Sequence, residues 1–88
     1  MTLDEAIGLA IRQSRTQKGL SQEAIGASQS FVSDVERGKK SITMNRLEGF
    51  ANCLNVKPAS LVIRAALLAT PNLTLDELFE QIRYEITP

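Results

Sequence analysis

Three glycines punctuate one short polar stretch of this chain, and no other feature limits the fold as tightly. The stretch opens Gly19-Leu20-Ser21-Gln22-Glu23-Ala24-Ile25-Gly26-Ala27 and continues Ser28-Gln29-Ser30-Phe31-Val32-Ser33-Asp34-Val35-Glu36-Arg37-Gly38-Lys39-Lys40. Ser21 is placed to cap a short helix that Gly26 must end or strain. Ser28 is placed to cap another, running to Arg37, with Gly38 as its left-handed terminator. Within this second helix Phe31, Val32 and Val35 make the inward stripe. Gln29, Ser30, Ser33 and Asp34 are left for a polar side.

Helical signals continue on both sides. Thr2-Leu3-Asp4-Glu5 reads as a capping box, with Leu3, Ile7, Ala10, Ile11 and Ser14 following at helical spacing and Gly19 as the stop. Thr43 caps a helix that carries Met44, Leu47, Phe50, Ala51 and Leu54 on one face. Pro58 suits the first position of a helix over 58–69. Thr74-Leu75-Asp76-Glu77 is a second capping box, opening a last helix striped by Leu75, Leu78, Phe79, Ile82 and Ile86. No stretch alternates with period two. The chain is expected to be all-α, with six helices and a core of Leu, Ile, Val and Ala, since it has no Trp. Residues 1–69 are expected to form one domain, with 70–88 as a helical extension used in dimerisation or packing.

Composition narrows the chemistry. One cysteine precludes an internal disulfide, and with no histidine there is no zinc cluster and no imidazole base. Neither enzymatic activity nor a metal or cofactor is expected. No apolar run reaches membrane-spanning length and no basic-then-apolar leader opens the chain, so a cytoplasmic protein is expected. The net charge of zero conceals a gradient. Residues 12–46 carry seven cations against three acids, whereas residues 71–88 carry one cation against four acids. Such asymmetry suits a part that faces a polyanion and an acidic end held away from it, or simply solvated helix faces.

A helix with Gln and Ser in its first turn, followed by cations, suits the major groove of DNA. The wider pattern supports this. Ile7-Gly8-x-x-Ile11-Arg12-x-x-Arg15, Gly19-Leu20-Ser21-Gln22-Glu23 and Ser28-x-x-x-Val32-Ser33-x-x-Glu36-Arg37-Gly38-Lys39 resemble the phage Cro/repressor type of helix-turn-helix, the Xre family. The likeness runs on through Leu47, Ala51, Leu54, Val56 and Leu61. It implies a five-helix, lambda-repressor-like DNA-binding domain, here with an added C-terminal helix, and dimeric binding to an operator. In one respect the chain departs from the family. Gln22 and Val32 are ten residues apart, about four fewer than the family places there, which is close to one helical turn of about 3.6 residues. The loss falls inside the second helix. Either that helix's N-terminus retreats from the DNA backbone or the preceding segment shifts to compensate.

Several residues acquire expected roles. Gln29 is placed to pair bidentately with adenine, and Ser30 and Ser33 to meet base edges or phosphates. Asp34 would accept from a cytosine amino group or from a nearby lysine. Phe31 would touch a thymine methyl or pack between helices. Lys39, Lys40 and Arg46 are candidate phosphate contacts, as are Ser28 and, by the family likeness, Gln22. That likeness also pairs Arg15 with Glu36 across the first and third helices. Cys53 is expected to be a small buried thiol.

The helix over 58–69 is apolar on nearly all sides, which predicts a two-fold dimer built on Leu61, Ile63, Leu67 and Leu68 with Phe79 and Ile82. Alternatively the last helix folds back and covers it. The function expected is a dimeric repressor that reads a palindromic operator with helix 28–37. The alternatives are an antitoxin holding a toxin partner, or a protein-interaction module that has lost DNA binding.

Overall fold

The computed structural model describes residues 1–88 and contains no strand. Five α-helices follow in order: α1 (Leu3–Gln17), α2 (Gln29–Glu36), α3 (Met44–Leu54), α4 (Pro58–Ala69) and α5 (Leu75–Ile86). Between α1 and α2 the second expected helix has shrunk to a single 3-10 turn, Gln22–Ile25. Ser21 stands at its N-cap position but makes no side-chain capping bond. The missing turn is therefore taken out of this element, and Ile25, 2% exposed, is the anchor that keeps the remainder on the core.

Local chemistry sets the helix ends. Thr2 accepts from the Glu5 amide while the Glu5 carboxylate accepts from the Thr2 amide, and Thr74 and Glu77 repeat this reciprocal cap on α5. Those backbone bonds, helped by the threonine hydroxyls, hold both glutamate carboxyls below their ordinary pKa. Gly19, Gly26 and Gly38 all adopt left-handed backbone, with φ of 67°, 85° and 73°. They release the chain at the ends of α1, the 3-10 turn and α2.

The core gathers Ala6, Ile7, Ala10 and Ile11 of α1 with Val32 and Val35 of α2. Leu47, Phe50, Ala51 and Leu54 of α3 and Leu61 and Ala65 of α4 complete it. α1 is the central element, packed against both α4 and α2. Small residues allow this. At Gly8 a β-carbon would run into the carbonyl oxygen of Val35, so the backbones of α1 and α2 touch directly there.

Four expectations change. Leu61, assigned above to a dimer face, is 1% exposed and belongs to the core, because α4 turns it towards α1. Cys53 is exposed rather than buried, since it falls beside the inward row of Phe50 and Leu54. Met44 and Leu3, each in the first turn of its helix, are 77% and 69% exposed and lie beyond the reach of the core. Of the α5 stripe only Leu78 is buried, while Leu75, Phe79 and Ile86 stay exposed.

The two helical glycines without left-handed backbone should respond oppositely to alanine. Gly8→Ala should cost about 1–3 kcal/mol by overpacking the α1–α2 contact. Gly49, with open space where a β-carbon would stand, should gain about 0.5–1 kcal/mol. Denaturant unfolding of the two variants checks both signs.

Candidate nucleic-acid interface

α2 is short, held at both ends and polar on its outer side. Ser28 accepts from the Phe31 amide at the N-cap, and Gly38 turns the chain away beyond Arg37. Val32, Val35 and Glu36 face inward. Gln29 and Ser30 are exposed, Ser33 and Asp34 half-buried, and these four share a recess with Gln22 and Arg37 that has no apolar lining residue. The expected base-reading residues are thus side by side on one accessible face. Arg37 joins them, unforeseen in the sequence reading; its three-residue spacing from Asp34 was the available signal.

Glu36 is the buried polar group beneath this face. Arg15 donates to it through Nε at 2.7 Å and Nη2 at 2.9 Å, a bidentate fork between α1 and α2. The third Arg15 nitrogen, Nη1, donates to the Leu20 carbonyl at 2.8 Å, and the Gln22 amide donates to Glu36 Oε1 at 3.1 Å. One carboxylate therefore ties together α1, the following loop, the 3-10 turn and α2. Its bond to Arg15 holds the guanidinium pKa above its ordinary value. Gln22, expected at a phosphate, is half-buried and turned towards Glu36. That is where a 3-10 turn, a full helical turn short, brings its first residue.

The other edge of α2 is built around Phe31. Its ring meets Phe50 edge-on, with centroids 6.2 Å apart and planes at 83°. The Arg46 guanidinium lies 4.6 Å and the Lys40 ammonium 5.7 Å from the centre of the Phe31 ring. Phe31 thus packs between helices and also gathers two candidate phosphate ligands on its faces. Lys39 is exposed beside them, and the Thr43 cap opens α3 immediately after. Asp34 bonds Arg37 at 3.1 Å and approaches Lys40 at 3.6 Å, so its carboxylate already has cationic partners within the protein.

Among the other expected dimer residues, Ile63, Leu67, Leu68 and Ile82 are half-buried and Phe79 is exposed. Ile63 and Leu67 line an open groove with Leu75 and Phe79, between α4 and α5. No helix is long and apolar enough to cross a membrane. No group of three or more acidic, histidine or cysteine residues is arranged to hold a metal.

The Arg15–Glu36 fork should be strongly coupled. A double-mutant cycle on Arg15→Ala and Glu36→Ala should return a coupling of about 1.5–3 kcal/mol in unfolding free energy. Arg15→Ala alone should be the costlier single change, since it strands the Glu36 carboxylate, whose side chain is 2% exposed, with only the Gln22 amide as partner.

A family model for helix-turn-helix domains matches residues 11–61, from the middle of α1 through Leu61 of α4. Among solved structures, the clp gene regulator ClgR from Corynebacterium glutamicum superimposes with a TM-score of 0.75 at 31% identity, over 80% of this chain and 96% of that one. A second ClgR structure covers 100% of this chain and 98% of its own at 26% identity, with a TM-score of 0.76. The restriction-modification controller protein C.AhdI from Aeromonas hydrophila matches over 66% of this chain and 94% of its own, at 34% identity and a TM-score of 0.63. No curated protein matches the sequence significantly. With its polar α2 face set on this shared frame, the chain belongs to the helix-turn-helix family of Cro/repressor-type transcriptional regulators.

Proposed function

We propose that this regulator acts as a dimeric repressor, with α2 of each subunit lying in the major groove of a palindromic operator. The observation that carries this reading is the outer face of α2. Gln29, Ser30 and Ser33 offer donors and acceptors for base edges, and the exposed Lys39, Lys40 and Arg46, the last two over the Phe31 ring at one edge of α2, offer cations for phosphates. Gln29 follows the Ser28 cap directly, at the end of the helix that enters the groove first. Its amide supplies the donor–acceptor pair that adenine presents. Ser28 keeps its hydroxyl proton for a phosphate while its oxygen caps the helix. Asp34 acts through its cationic neighbours or on a cytosine amino group.

Two copies are needed because an eight-residue helix reads only a few base pairs. The subunits join through the α4–α5 face, where Ile63, Leu67 and Phe79 line a groove that one chain leaves open. Leu68 and Ile82, both half-buried, flank it. A two-fold axis there would set the two α2 helices about 34 Å apart, one turn of the duplex. Occupying an operator is sufficient for repression, and such a protein works wherever the cell keeps its duplex DNA, in the cytoplasm.

Selection of bound sequences from random duplex DNA tests the reading. The wild type should yield a palindrome, and Gln29→Ala should degrade one position per half-site, a loss of about 1–3 kcal/mol of discrimination. Recovery of no motif, with no salt-dependent binding, would overturn it in favour of a protein-interaction module. Sedimentation tests the subunit contact separately. A dimer at tens of micromolar that Leu67→Glu dissociates supports the α4–α5 face, and a wild-type monomer at that concentration excludes it.

A further inference from the structure

We infer that Arg12, joined by Arg37 once a phosphate has drawn it from Asp34, forms a second DNA-phosphate site on the Glu36 edge of α2, across the helix from the Phe31 edge with Lys40 and Arg46. The inference rests on the DNA-reading role of α2 and adds the contact that the shortened 3-10 turn leaves unmade.

At about 100° per residue, Glu36 and Phe31 mark the two edges of the outward arc of α2. The Phe31 edge has its cations in Arg46 and Lys40. A helix lying in the major groove has a phosphate backbone along each side, the walls being about 12 Å apart. One cationic edge therefore serves one strand only. The Glu36 edge carries a polar recess whose lining includes Arg12, Gln22, Ser33 and Arg37, with no apolar residue.

The charges in that recess leave two cations available. Glu36 is occupied on both oxygens, by the Arg15 fork and the Gln22 amide, so it adds no free negative charge. Arg12 is exposed and takes part in none of the four ion pairs of the protein. Its backbone is held in place, because it follows the fully buried Ile11 and precedes Arg15 on α1. Arg37 bonds Asp34 at the surface with its side chain 57% exposed, a contact that a phosphate can exchange for its own. A guanidinium presents a planar fork that fits two phosphate oxygens, which an ammonium does not. The acids nearby are Asp34, which retains Lys40 when Arg37 departs, and the exposed Glu23 at the 3-10 turn.

The test is a salt series on the full chain, with fluorescence anisotropy of a labelled 30-base-pair duplex of mixed sequence. Each phosphate contact contributes about 0.9 to the slope of log K against log salt. Arg12→Ala and Arg37→Ala should each lower the slope by about one and the double variant by nearly two, and Arg12→Ala, which lies outside the base-reading recess, should leave the motif selected from random DNA unchanged. Arg83→Ala, on α5, removes the same charge away from α2 and should keep the wild-type slope. If the arginine variants keep the wild-type slope, or if Arg83→Ala lowers it equally, the second site does not exist although α2 still binds DNA. If the wild type itself shows no salt-dependent binding, the DNA-reading role fails and this site with it. Circular dichroism verifies that each variant is folded, as expected for exposed side chains.

Discussion

The buried carboxylate of Glu36 is the constraint on which the rest of the molecule is arranged. A charge held that far from water is tolerable only when its lone pairs are filled, and here Arg15 and Gln22 fill them. The consequence is geometric more than energetic. Arg15 also grips the Leu20 carbonyl, so the loop after α1, the 3-10 turn and α2 share one hydrogen-bonded node. With a single turn between Ser21 and Gly26, there is little apolar area to fix the angle of α2. Ile25 and this polar node do it together.

The contact at Gly8 completes the arrangement. α1 and α2 meet backbone to backbone there, with no side chain between them to shift. Arg64 of α4 reaches back to Gln13 and Gln17 of α1, so the helix carrying the open apolar groove is tied to the same central element. α1 is thus the beam from which the proposed reading helix hangs on one side and the proposed subunit contact on the other.

Much of this was legible in the sequence because local chemistry decided it. Both capping boxes, the three glycines at element ends, the Pro58 start and the Arg15–Glu36 partnership lie where spacing and likeness put them. What escaped was decided by tertiary geometry. Periodicity gives α4 an apolar surface on nearly every side but does not say which side meets α1, so the pattern alone does not reveal that Leu61 belongs to the core. Cys53 lies only one step round the helix from Leu54, and that step takes it from buried to exposed. The Phe31 ring with its two cations joins residues nine and fifteen positions apart, from three segments, and no periodic pattern announces such a meeting.

The division of labour around α2 has an evolutionary corollary. Val32, Val35 and Glu36 carry its attachment to the fold, while the exposed Gln29 and Ser30 contribute little to it. Substitutions at exposed positions like these usually change stability by no more than about 0.5 kcal/mol. With α2 in its proposed role, lineages of this protein are therefore free to explore new target sequences by drift at these two adjacent surface positions, without first accumulating stabilising changes elsewhere. On that proposal, retargeting and folding are nearly independent traits in this chain. The same independence makes α2 a suitable place to graft a foreign reading face by design.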